Sequence, residues 1–170
     1  MSTIRPHHLP AHALLAKYAN GAGYTDCYLT EIPGHVSHAA YVEAFYTTAL
    51  FKLERLLLAW FVSRPSSDAE AKRLAAGEIN SFAAWNVEER AANQLLMCDF
   101  QCRTRSWFMT DQIRNGDREV TRLYFGSAVV PRVNGAAGDA GLGIAFRGLL
   151  GFHKAYSTAL LGSARSRLAK

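Results

Sequence analysis

Cysteine is scarce in this chain: Cys27, Cys98 and Cys102 are the three among 170 residues. An odd, low count suits a reducing compartment better than a disulfide framework. Ready-made metal motifs are missing as well. His7, His8, His12, His35 and His38 stand without a Cys-x-x-Cys or His-Glu-x-x-His partner, so no metal site is expected. There is no Gly-x-Ser-x-Gly, which removes the nucleophile elbow of many hydrolases. The glycine-rich stretch at residues 134–143 lacks the lysine and the hydroxyl residue of a phosphate loop. It reads as a hinge or lid, and no cofactor is expected. Long apolar runs are absent too. The longest, residues 56–62, falls far short of a membrane span. The apolar patch at residues 13–16 is too short for the core of a signal peptide. The expected location is the cytoplasm.

What is present is a globular composition, 49% hydrophobic and 19% charged, far from the disordered corner. A chain of this length can bury roughly 70% of its unfolded surface and hold a core without staples. The net charge of +5 permits contact with anionic partners. Yet the basic residues are dispersed, acidic residues lie between several of them, and no nucleic-acid motif accompanies them. A solvated basic surface is expected, with no nucleic-acid partner.

The periodicity sets out one α+β domain over residues 1–170. The first stretch, to about Gly23, is polar and turn-rich. Residues 24–32 alternate aromatic or aliphatic with polar side chains and end at Pro33-Gly34, which reads as a strand. In residues 37–63, Val42, Phe45, Tyr46, Ala49, Leu53, Leu56, Leu57 and Trp60 recur at helical spacing behind the N-cap candidate Ser37. This predicts one long helix. Its second half is apolar nearly all round, which suggests a further helix or a second subunit against it. Ser67-Asp68-Ala69-Glu70 is a capping box, and a short helix over residues 68–77 follows. From Phe82 the period changes to two, and residues 82–130 predict a four-strand meander with a turn at Asn115-Gly116. Residues 142–166 return to helical spacing through Phe146, Leu149, His153, Tyr156 and Leu160.

An antiparallel meander closing on a long C-terminal helix is a helix-grip arrangement. Three stretches carry a resemblance beyond that order: LLMCDFQCRTRSW at residues 95–107, TRLYFGSAVVP at 121–131 and FRGLLGFHKAYSTAL at 146–160. Together they resemble an uncharacterised bacterial family associated with the START-like helix-grip superfamily. The resemblance implies a pocket between sheet and C-terminal helix that holds an apolar small molecule. It supplies no catalytic residues.

Candidate binding residues follow from the pattern. His153 and Tyr156 share the apolar stripe of the last helix, where a titratable ring and a hydroxyl would be polar handles. Packing as a core histidine is the simpler role for His153. Trp85, Trp107 and Tyr124 lie on strands and could wall a pocket or merely fill a core. Asp99 and Arg105 flank the turn at Gln101-Cys102, where a carboxylate–guanidinium pair would pin the hairpin or orient a substrate. Glu54 borders the most apolar part of the long helix, where burial would raise its pKa. The function expected is binding of an apolar or amphipathic small molecule. The alternatives are a cyclase- or hydratase-like enzyme using the same pocket, and a homodimeric assembly protein using the apolar helix.

Overall fold

A computed structural model describes residues 3–21, 23–62, 65–130 and 143–169, with side chains throughout these spans except at 54, 57–62 and 143–153. The described residues form an antiparallel sheet of seven strands and four α-helices. The strands are β1 (Arg5–Pro6), β2 (Tyr24–Pro33), β3 (Ser81–Phe82), β4 (Trp85–Ala91), β5 (Gln94–Asp99), β6 (Thr104–Asn115) and β7 (Arg118–Val129). The helices are α1 (His38–Tyr46), α2 (Ala49–Val62), α3 (Asp68–Ala75) and α4 (Gly143–Leu168). The sheet order is β1-β2-β7-β6-β5-β4-β3. Residues 82–130 thus form the expected meander, and β2 returns to pair with its last strand from Tyr24↔Val129 to Pro33↔Val120. With α4 packed against the sheet, the α+β helix-grip arrangement is present. The glycine-rich stretch at 134–143 lies almost wholly outside the described residues.

Where the elements differ from expectation, local hydrogen bonding accounts for it. The predicted long helix is two helices, broken at Thr47-Thr48. The Thr47 hydroxyl donates back to the Glu43 carbonyl at 2.7 Å, and the Thr48 hydroxyl accepts from the Phe51 amide at 3.2 Å. Two adjacent threonines thereby offer the backbone an ending and a new cap in place of continued helix. The hairpin at Asn115-Gly116 is shifted by one residue. Asn115 pairs with Arg118 as the last rung, so Gly116 and Asp117 form the loop, with Gly116 at φ +63°. Two-residue strands β1 and β3 are too short to leave a periodic signal. The two predicted caps are present: Ser37 accepts from the Ala40 amide at 3.1 Å, and the Ser67–Glu70 box closes reciprocally.

The sheet is covered on both faces. On one, Tyr41, Phe45 and Tyr46 of α1 pack with Phe108, Phe125, Leu160 and Leu161 into a single buried cluster. The Tyr41 hydroxyl donates to the Tyr124 carbonyl at 3.0 Å and pins α1 to β7. On the other, the N-terminal segment crosses the strands and carries a 3-10 helix, Leu14–Tyr18. Ala13 and Leu15 are buried there against Cys27, Leu29, Leu96, Trp107, Met109 and Tyr124. The segment that reads as polar and turn-rich is therefore a strap over an apolar sheet face.

Candidate ligand cavity

The strap is held by buried polar groups. Gln94, 5% exposed, accepts through one side-chain oxygen from the Leu14 amide and from the Trp107 indole, each at 2.9 Å. Its side-chain nitrogen donates to the His12 carbonyl at 3.1 Å. A glycine makes the room: a Cβ on Gly126 would lie 2.9 Å from the Asp26 carbonyl, 2.9 Å from the Leu15 side chain and 3.0 Å from Trp107.

Beside this clamp, a β-bulge between Val87 and Glu89 inserts Glu88 into the β4–β5 pairing. The extra residue lets Glu88 and Glu89 both reach Lys17, at 2.7 and 2.9 Å, since a bulge re-aims the side chains around it. Glu88 also receives the Arg105 guanidinium at 2.9 Å and the Tyr18 hydroxyl at 2.6 Å. Burial alone would raise the Glu88 carboxyl, but hydrogen bonds from Lys17, Tyr18 and Arg105 outweigh it and hold the pKa below the ordinary value. Burial likewise works against the charge of Arg105, and the Glu88 bond overcomes it.

Arg105 is thus paired with Glu88, not with Asp99 as its sequence position suggests. Asp99 instead closes its own turn, accepting from the Arg103 and Thr104 amides at 2.6 and 3.1 Å. The turn needs such help because Cys102 sits in the left-handed region at φ +56°. Arg122, on the next strand, binds Glu31 at 3.1 Å.

The candidate aromatics divide between the two faces. Trp107 and Tyr124 are buried under the strap, their ring centroids 6.2 Å apart. Trp85 and Tyr156 pack on the helix face, half-buried, at the edge of the aromatic cluster. Between them opens a cavity of about 180 Å³. Its floor is Phe45, Tyr46 and Phe51 from the α1–α2 region, Phe125 from β7 and Leu160 from α4, all buried. Ser157 adds a buried hydroxyl, and Thr104 and Ser106 of β6 stand half-buried near Trp85 and Tyr156. The rings are mutually locked. Phe45 stacks on Phe125 at 4.9 Å between centroids, and Tyr46 meets Phe51 edge-on at 4.8 Å.

Sequence reasoning placed Tyr156 and Trp85 among the binding candidates, and the structure brings both to this cavity. Phe45 and Phe125 read as apolar-face residues from periodicity alone, and Phe51 lies outside the apolar stripe read for the long helix. No signal separates a ring that fills a core from one that borders a void. The side chains of His153 and Glu54 lie outside the described residues, while the backbone of His153 falls one turn of α4 before Ser157.

The chemistry of the described lining is narrow. It contains hydroxyls, aromatic rings, aliphatic groups and one charged residue, Arg105, whose guanidinium is bound to Glu88, and no carboxylate or imidazole. The buried thiols are held protonated: burial, then the nearby Asp26 charge, pushes Cys27 up to about 12, and burial, then Cys102, pushes Cys98 up to about 11. Among the described residues no cluster of His, Cys, Asp or Glu could hold a metal ion, and no helix is long and apolar enough to cross a membrane.

The fold and cavity define a class: an α+β domain whose C-terminal helix, inner helices and sheet border a small, partly open, aromatic-lined space. No protein-family model, curated protein or solved structure matches the chain.

Proposed function

We propose that the protein binds an apolar or amphipathic small molecule in the cavity between the sheet, the α1–α2 region and α4. The observation that supports this most directly is the void itself. Protein interiors pack to the density of organic crystals, and the apolar groups that border this recess, which opens past the half-buried Trp85 and Tyr156, leave contacts there for a guest to make. Here about 180 Å³ is walled by rings and bordered by hydroxyls, the composition of a recognition site. The START-like resemblance of residues 95–107, 121–131 and 146–160 points the same way.

Native mass spectrometry of protein expressed in bacteria tests the reading. The expected result is a bound mass, or uptake of an added apolar probe, that disappears in a Ser157→Phe variant, where the new ring occupies the cavity. If that variant misfolds by circular dichroism, Ser106→Phe at the half-buried edge replaces it. Equal retention of the adduct in a folded, filled variant overturns the proposal.

A second reading has an observation of its own. Leu53 and Leu56 on α2 are each 55% exposed. Large apolar side chains three residues apart on an exposed helix face suit a homodimer contact.

A further inference from the structure

We propose that the preferred occupant is an uncharged, single-ring aromatic molecule carrying a hydroxyl or carbonyl group, the size and chemistry of a substituted phenol. This rests on the cavity being a binding site and adds the class of ligand.

Size supplies the first argument. A space of about 180 Å³ is close to the engineered apolar cavities of ~150 Å³ that accept benzene. One ring fits within it. A fused ring system or an alkyl chain of lipid length does not, unless most of it projects past Trp85 and Tyr156.

The walls supply the second. Phe45 and Phe125 stack at an interplanar angle of 29°, while Tyr46 stands at 78° to Phe51. The cavity is therefore bordered by aromatic rings that their mutual contacts hold in fixed orientations. An aromatic guest can answer them with offset stacking and edge contacts, whereas a saturated ring of equal volume gains only dispersion.

The polar groups supply the third. Thr104 and Ser106 project from the same face of β6, and Ser157 adds a hydroxyl from α4. Hydroxyls donate and accept, so they suit a guest hydroxyl or carbonyl equally. Arg105 is the one charged residue among the described lining. Its guanidinium is turned to the strap side, bound to Glu88, the Tyr18 hydroxyl and the Cys102 carbonyl. A carboxylate or ammonium entering the cavity would shed its water and meet no opposite charge among these side chains, which disfavours ions strongly.

The test is titration calorimetry of the full chain with benzene, cyclohexane, phenol, benzoate and 2-naphthol, together with xenon uptake followed by NMR. Phenol is expected to bind at least tenfold more tightly than benzoate and more tightly than benzene, cyclohexane or 2-naphthol. A folded Thr104→Val, Ser106→Ala double variant should lose the preference for phenol over benzene while still binding benzene. Benzoate or 2-naphthol binding as well as phenol overturns the inference, as does a phenol preference that survives the double variant. Xenon uptake without any aromatic binding keeps the cavity and discards the ligand class. Failure of both xenon and the aromatics to bind discards the cavity reading too.

Discussion

His38 shows how a single side chain can couple this fold to pH. It occupies the first turn of α1, and its Nε2 is buried without a hydrogen-bond partner. Burial lowers its pKa from 6.5 to about 4, a Phe108 backbone group opposes that shift, and the nearby Arg90 charge reinforces it. Arg90 is fixed where it is, donating to the Leu74 and Ile79 carbonyls at 2.9 and 3.0 Å. Between these two pKa values the unfolded chain binds more protons at this ring than the folded one. Stability from this residue is therefore complete above pH 6.5 and is lost as pH falls toward 4, by up to ~3 kcal/mol. Urea midpoints at pH 7 and 4.5 should differ more in the wild type than in His38→Gln. Asp68 and Glu88, whose pKa values are lowered, add acid sensitivity at lower pH that the variant keeps. Residue-scale chemistry of this kind is poorly legible in sequence. His35 and His38 are alike in sequence, and only the fold leaves one exposed and buries the Nε2 of the other.

Among elements, legibility follows how much of the stabilising interaction is local. The short helix α3 has its cap and its box within four residues, and both appear as read. The β6–β7 hairpin also appears, displaced by one residue, because a glycine next to an asparagine marks the turn without choosing which rung closes it. The long helix misled because its apolar stripe runs through Thr47 and Thr48, while the break is written in their hydroxyls. The strap was illegible: its eventual partners, Trp107, Leu96 and Tyr124, lie some eighty residues or more away. Gln94 is the residue that makes this element. Gln94→Leu leaves the Trp107 indole, the Leu14 amide and the His12 carbonyl without their partner. Stranding buried polar groups costs about 1–3 kcal/mol each where water cannot reach them. A loss of ~2–4 kcal/mol is expected in denaturant unfolding. Amides of residues 13–19 should lose hydrogen-exchange protection before those of β6 and β7. Uniform protection in the variant would show that apolar contact alone holds the strap.

At the scale of the whole molecule, the sheet is sandwiched, with α1, α2 and α4 on one side and the strap on the other. The strap covers one face, while the cavity and the exposed Leu53 and Leu56 of α2 lie away from it. If Leu53 and Leu56 form a homodimer contact, multi-angle light scattering should give twice the monomer mass. A Leu53→Lys, Leu56→Lys variant should then return to 18.7 kDa. A monomer in both cases removes that reading and leaves the cavity untouched.

What the amino-acid sequence determined by itself is the class of fold: an antiparallel meander at period two, helices at period three to four before and after it, and the caps and turns that bound them. These depend on neighbours within a few residues, so local chemistry is enough. What only tertiary structure decided is which aromatic faces which side. Trp85, Trp107 and Tyr124 are alike as strand residues, yet the pleat and the pairing register send the first to the cavity edge and the other two beneath the strap. Arg105 is drawn away from Asp99 by a carboxylate that pairing across β4 and β5 brings to it. A void is the least local property of all, for it depends on every wall at once, and so the cavity beside Tyr156 could be expected from resemblance but sized only in the folded chain.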